Sequence, residues 1–153
     1  MKREKFLWPI THAHHYGLMA AKTIQRKLAE KPDKKELEAL RKRAAAFFKT
    51  DLAAHVGVEE RILDQLAYHA GPREPLLEKA REEHEELGRL LNKKGIRPLE
   101  LFAEKFIRHI YFEEDKLFPE IEGQFTQAEK EWVETEIQFH IHDWPKIPAF
   151  SGR

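Results

Sequence analysis

The sequence predicts an all-α protein, an up-down-up-down antiparallel four-helix bundle followed by a C-terminal fifth helix. Two observations predict this fold class. β-branched runs of strand length are absent, and proline and glycine are concentrated in three short interior stretches and at the two ends, which leaves long segments free to form helices. Four long helices with short connections pack as antiparallel neighbours, and their facing side chains meet in the interior.

The first two helices are predicted from their starting residues. Helix 1 is expected over residues 9–30, because Pro9 suits the first turn of a helix. Helix 2 is expected over residues 33–68. Asp33 can accept a hydrogen bond at the helix start, and Glu36 three residues later completes a capping box.

Three further helices follow. Helix 3 is expected over residues 74–91, ending before Gly95, and helix 4 over residues 99–117. A fifth helix is expected to begin at Thr126, where Thr-Gln-Ala-Glu forms a second capping-box pattern, and to end before Trp144.

The division of the chain follows from these helices. We expect residues 1–125 to form the bundle and residues 126–153 to form a helix and tail that pack on the same domain. A chain of 153 residues is long enough to bury a sizeable core.

Composition excludes several classes of function. With 27 basic and 27 acidic residues the formal net charge is zero, so neither nucleic acid nor an anionic membrane is an expected partner. The absence of cysteine removes thiol catalysis, disulfides and thiolate ligands, which leaves nitrogen and oxygen donors for any metal. No apolar run approaches the roughly 18 residues of a membrane span, and we expect a cytoplasmic protein.

An internal repeat relates helices 2 and 4. HVGVEERIL, which begins at His55, and HIYFEEDKL, which begins at His109, each place two glutamates four and five residues after the histidine. The apolar residues around each histidine also correspond: Phe48, Leu52 and Leu63 in the first repeat, and Phe102, Phe106 and Leu117 in the second. Because residues at i and i+4 share a helical face, His55 with Glu59 and His109 with Glu113 are predicted on the buried face.

Buried His/Glu pairs on two helices indicate a metal site. A single pair at this spacing is more often a surface ion pair, but burying a carboxylate is costly unless it is paired or bound to a metal. The adjacent Glu60 and Glu114 lie about 100° around each helix, where they are predicted to be solvated, or to shield or support the site.

Helices 1 and 3 offer further nitrogen donors. His84 is the only histidine of helix 3, and it lies on the side of Leu77, Leu87 and Leu91. Helix 1 offers three histidines: His12, His14 and His15. At about 100° per residue, His14 lies about 30° from the apolar direction of helix 1 and His15 about 130° from it, so periodicity favours His14.

Four motifs resemble the hemerythrin-like, or HHE cation-binding, domain family: AHHYGL in helix 1, HVGVEERIL in helix 2, EEHEELGRLL in helix 3 and HIYFEEDKLFPEI in helix 4. The resemblance covers roughly residues 7–120, and its most specific part is the H-x-x-x-E-E pair. It implies a non-haem centre of two iron ions with an oxo or hydroxo bridge. The ligand positions that match the family are His55, Glu59, His84, His109 and Glu113. Glu59 and Glu113 would be the bridging carboxylates.

The family pattern leaves the helix 1 ligand open. In the family, the helix 1 histidine is often followed three residues later by an apolar residue, as His15 is by Leu18 in this sequence. His14 therefore stays the first choice and His15 the alternative.

The resemblance implies a protein that binds dioxygen, peroxide or nitric oxide in oxygen or iron sensing or scavenging. Six apolar residues are expected to keep the pocket dry: Phe48, Leu52, Val58, Phe102, Phe106 and Phe112. Oxygen-carrying members have a second helix 3 histidine where this chain has Ala80, which argues against reversible oxygen carriage.

Two alternative functions remain open. One is a di-iron enzyme that consumes peroxide or reduces nitric oxide, and the other is a helical interaction module that binds adventitious zinc. The high share of nitrogen ligands fits the binding of small ligands better than iron storage, and two open coordination positions would favour an enzyme; we expect a binding protein. The sequence identifies no protein partner.

Overall fold

The computed structural model describes residues 2–141, apart from the side chain of Asp51, and this part of the chain is helical without any strand. The all-α prediction is therefore confirmed. After a 3₁₀ turn at Lys5–Leu7, the α-helices are α1 Trp8–Ala29, α2 Lys34–Ala46, α3 Ala53–Ala70, α4 Pro75–Leu91, α5 Ile96–Phe112, α6 Phe118–Gln124 and α7 Gln127–His140.

Helix starts follow the predicted capping chemistry. Asp33 and Thr126 each accept a hydrogen bond from the backbone three residues later, and Glu36 and Glu129 complete the two capping boxes. α7 begins as predicted and ends at His140. The expected end of this helix before Trp144 and the C-terminal tail lie outside the described residues.

Two wide π-helical turns interrupt the long helices that the sequence predicts. Phe47–Asp51 separates α2 from α3, and Glu113–Leu117 separates α5 from α6. The second π turn explains why the chain remains helical through Pro119. The Phe118 N–H bonds to the Glu113 carbonyl five residues back, so Pro119 falls in the first turn of α6, where a proline is tolerated.

The helices enclose two hydrophobic clusters. α1 packs on α5, α4 on α5 and α3, and α7 on α3 and the 3₁₀ turn. α5 side chains lie tightly against α1 at Gly17, where an added Cβ would lie 3.1 Å from both Ile110 Cδ1 and Phe106 Cζ. One cluster contains Ala13, Leu52, Leu87 and Phe106, and the other contains Ile10, Val58, Ala80 and Phe112. The boundary between the clusters therefore crosses α1, α3, α4 and α5 at the level of the histidines.

Among the helices of residues 2–141, none has both the length and the apolar character that a membrane crossing needs.

Glu129 ties α7 to the end of α3. Its Oε2 lies 2.5 Å from His69 Nε2 and accepts a hydrogen bond from the Gln65 amide, and its Oε1 accepts from the Thr126 N–H at 2.9 Å. Burial raises the pKa of Glu129, but the hydrogen bonds from Thr126, His69 and Gln65 outweigh it and lower this pKa to about 2. Because the folded pKa is depressed, ionised Glu129 stabilises the fold above its unfolded pKa of about 4.3, and this stabilisation is lost as the pH falls towards about 2.

We expect Glu129→Gln to lower the urea midpoint at neutral pH. The difference from the unmodified protein should shrink as the pH falls from about 4.3 towards 2, because wild-type Glu129 then becomes protonated as well. Unfolding curves at a series of pH values measure this difference. Glu134→Gln changes an exposed glutamate of the same helix and serves as the control. A difference that stays constant down to about pH 2 would contradict the assigned role of Glu129.

Candidate metal centre

Five ionisable side chains are buried where the two hydrophobic clusters meet: His14, His55, Glu59, His109 and Glu113. Glu113 is the most enclosed, with 1 % of its surface exposed. The His/Glu pairs of the internal repeat thus lie on the buried face, as their register predicts. Such a concentration of polar groups in an apolar interior requires compensation.

Four residues bring metal-binding atoms together. One donor atom from each of Glu59, His84, His109 and Glu113 lies within 4.8 Å of all the others. His109 Nε2 is 3.0 Å from Glu113 Oε1, and His84 Nε2 is 3.4 Å from Glu59 Oε2 and 3.6 Å from Glu113 Oε2. This buried group could hold a metal ion.

His14 joins the same group from α1. Its Nε2 lies 3.1 Å from Glu113 Oε1 and 3.3 Å from Glu59 Oε1. The ring is stacked on Phe118, with the ring centres 5.5 Å apart and the planes 11° from parallel. The imidazole of His14 is therefore held on one face by an aromatic ring while its Nε2 points at the two carboxylates.

The two carboxylates have the same orientation relative to the histidines. Oε1 of Glu59 and Oε1 of Glu113 are the oxygens near His14, whereas the two Oε2 atoms are those near His84. We call these two ends of the group the His14 end and the His84 end. Each carboxylate spans both ends, which is the arrangement that a carboxylate bridging two ions requires.

Three of the buried donor atoms lack a hydrogen bond. His84 Nε2 and both oxygens of Glu113 make none, although Glu113 Oε2 lies 3.6 Å from His84 Nε2 and Glu113 Oε1 lies 3.0 Å from His109 Nε2. Two ligand atoms that each lie about 2.1 Å from a metal ion are separated by roughly 3.0 Å at a right angle and roughly 3.4 Å in a tetrahedron. The observed separations match these edges, so the residues present fit a bound ion.

Three outer glutamates fix the imidazole rings. His14 Nδ1 lies 2.7 Å from Glu114 Oε2, His84 Nδ1 lies 2.5 Å from Glu60 Oε1, and His109 Nδ1 lies 2.9 Å from Glu83 Oε1. With Nδ1–H donating to a carboxylate, each ring directs its Nε2 into the group. Histidines that bind metals are usually held in this way.

The same contacts shift the pKa values in the metal-free protein. Burial raises the pKa of Glu113, but His109, His14 and His84 outweigh it and hold this pKa well below its usual range. Burial lowers the pKa of His84, whereas the neighbouring carboxylates of Glu113, Glu59 and Glu60 raise it to about 12. Protons on the histidines therefore compensate the carboxylates, and a cation can take over that role when these protons leave.

A cavity of about 20 Å³ adjoins the group. Its polar wall is made of His14, His55, Glu59, His84, His109 and Glu113. Its apolar wall is made of Ala13, Phe48, Leu52, Val56 and Phe106. This volume is close to that needed for one water molecule. Of the six residues expected to line it, Phe48, Leu52 and Phe106 do so, whereas Val58, Phe102 and Phe112 are buried in the core instead.

The remaining predicted ligand positions are placed as follows. His15 is exposed and contacts the edge of Tyr16, so of the two helix 1 candidates only His14 reaches the group. His55 lines the cavity but is not among the four clustered donors. Ala80 is fully buried in the second hydrophobic cluster. The contact between Glu83 and His109 could not be predicted, because the glutamates of EEHEE lie on both sides of His84 and no pattern selects one of them.

Comparison with known proteins finds no matching family model, no matching curated protein and no matching solved structure. The resemblance to hemerythrin-like domains therefore rests on the four motifs quoted above.

Proposed function

We propose that this protein is a hemerythrin-like non-haem di-iron protein. Its helices would form the up-down-up-down four-helix bundle expected from the sequence, with the centre between them. The proposed ligands are His14, His55, Glu59, His84, His109 and Glu113, and its small ligand is dioxygen, peroxide or nitric oxide. The observation that carries the proposal is that donor atoms of Glu59, His84, His109 and Glu113 lie within 4.8 Å of one another, while His84 Nε2 and both oxygens of Glu113 make no hydrogen bond.

The donor set favours iron. Imidazole nitrogen suits iron, zinc and copper, and carboxylates suit harder ions, so a mixture of three or four histidines with two glutamates fits iron well. Glu59 and Glu113 each present one oxygen to the His14 end and the other to the His84 end, which supports a pair of ions. Bound iron would supply the redox chemistry, which no side chain of this site offers.

The cavity favours a small uncharged ligand. Its volume of about 20 Å³ excludes organic substrates, and its apolar wall cannot stabilise a free anion. Phe48, Leu52 and Phe106 exclude bulk water from the space next to the donors. The side chains present thus bind the metal, orient the histidines and limit which molecules can reach the centre.

Metal analysis tests the proposal directly. We expect the protein, expressed in medium that contains both iron and zinc, to retain about two iron ions per chain. A single zinc ion, or no metal, would contradict the di-iron proposal and support the interaction module.

The ligand is tested on the reduced, iron-loaded protein. Separate samples, reduced under anaerobic conditions, are mixed with nitric oxide or with dioxygen. The visible absorption is recorded before and after the gas is removed by evacuation. We expect a spectral change with at least one of them, and no recovery of the reduced spectrum after dioxygen is removed. An unchanged spectrum with both would contradict ligand binding, and full recovery would indicate an oxygen carrier.

A further inference from the structure

We infer that Arg3 and Thr11 are positioning residues of the metal centre. Acting together on Glu114, they hold His14 in place, so that the segment before α1 belongs to the His14 end of the site. This inference rests on the proposed metal binding. It assigns a function to a segment that the sequence motifs do not include.

Glu114 is the point where these residues meet. The Thr11 hydroxyl lies 2.9 Å from Glu114 Oε1 and 3.0 Å from Oε2, and His14 Nδ1 lies 2.7 Å from Oε2. Arg3 Nε lies 3.6 Å from Oε1. Only 18 % of the Glu114 side chain is exposed, so these contacts are partly shielded from water. Besides the His14 imidazole, the carboxylate therefore has two partners, Thr11 and Arg3, which hold it in place.

Arg3 is itself held firmly. Its side chain is 13 % exposed, and its guanidinium donates to the Glu122 carboxylate and to the Glu114 backbone carbonyl. The Glu4 N–H donates to the other Glu122 oxygen at 2.6 Å, which anchors the neighbouring backbone to α6. Arginine suits this position because its rigid fork of donors can serve a carboxylate and a carbonyl at once.

Arg3 supports His14 by a second route. Its guanidinium lies 5.4 Å from the centre of the Phe118 ring, the ring on which His14 is stacked. Arg3 thus contacts both groups that orient the imidazole of His14, the carboxylate of Glu114 and the ring of Phe118. Displacement of Arg3 would loosen the two supports together.

The other end of the centre is supported differently. Glu60 holds His84 as Glu114 holds His14, but its side chain is 38 % exposed. Its cationic partner, Arg81, is 3.8 Å away and also partly exposed. Ion pairs at such exposure are screened and contribute little. The internal repeat therefore has one outer carboxylate, Glu114, with a largely shielded cationic partner and another, Glu60, with a partly exposed one, which supplies a matched control.

The test measures how fast each end releases metal. The protein is loaded with Zn²⁺, a redox-inert probe, and mixed with excess chromogenic chelator. We expect Arg3→Gln and Thr11→Val to speed the release of one bound ion by about 10-fold or more and to leave the other unchanged, because loss of an outer support typically weakens metal binding by this amount. Thr11→Ser, which keeps the hydroxyl, should restore the slow rate, and Arg81→Gln should change neither rate.

Urea unfolding of the metal-free variants separates positioning from general destabilisation. We expect Thr11→Val and Thr11→Ser to have similar metal-free midpoints although their release rates differ. If the Arg3→Gln and Thr11→Val variants both release metal at the rate of the unmodified protein, the inference is overturned, but the proposed metal binding is not. An effect of Arg81→Gln as large as that of Arg3→Gln would also overturn it. Failure of the unmodified protein to bind metal would instead contradict the proposed function.

Discussion

Removal of the bound metal should lower the thermal midpoint of unfolding by about 10 °C. A ligand that binds only the folded state at 100 to 1,000 times its dissociation constant stabilises a protein by about 3–4 kcal/mol, and for a domain of this size each kcal/mol shifts the midpoint by about 2–4 °C. This stabilisation would arise because Glu59 and Glu113 are buried and a metal bound at the proposed centre would compensate their charge.

Calorimetry of the metal-loaded and chelator-treated protein measures this shift. Adding metal back after the chelator is removed should restore the higher midpoint, which controls for irreversible damage. Equal midpoints before and after chelation would show that the buried His/Glu group is not a metal site that stabilises the fold.

Glu113→Gln should weaken metal binding by about 100-fold or more, beyond the loss typical of an outer support. Both Glu113 oxygens belong to the donor group, and between them they face His14, His84 and His109. The amide keeps the shape of the side chain but provides one neutral oxygen in place of two charged ones. Competition with a metal indicator measures the affinity.

The thermal experiment provides a second measure of the same substitution. A Glu113→Gln variant should show little difference between its metal-treated and chelator-treated midpoints. Glu104→Gln is the matched control, since this glutamate lies in α5, the helix that leads into Glu113, but pairs with Arg108 at the surface. Unchanged affinity in Glu113→Gln would contradict the central place given to this carboxylate.

Much of the candidate site could be predicted because helical periodicity fixes which residues share a face. The angular count on helix 1 separated His14 from His15, and the structure places His14 in the buried group and His15 at the surface. The repeat predicted that His55, Glu59, His109 and Glu113 are buried, because apolar residues mark the same face around both pairs.

The contacts between helices could not be predicted in the same way. The pairing of Glu83 with His109 joins two helices, and its partner depends on how α4 and α5 are rotated against each other. The π turns were also missed, since a single wide turn leaves the apolar pattern nearly unchanged. Arg3 lies before the first predicted helix. Helical periodicity therefore could not predict that it contacts Glu114.

The residues that meet at the His14 end of the group come from distant parts of the chain. His14 and Glu114, which meet beside the centre, are separated by 100 positions in the sequence. An ion held by both His14 and Glu113 would therefore act as a long-range cross-link. Closing a loop of about 100 residues removes a large part of the entropy of the unfolded chain, as a disulfide does. In a protein without cysteine, a metal ion would supply a reversible staple of this kind that could be opened by protons or by a competing chelator.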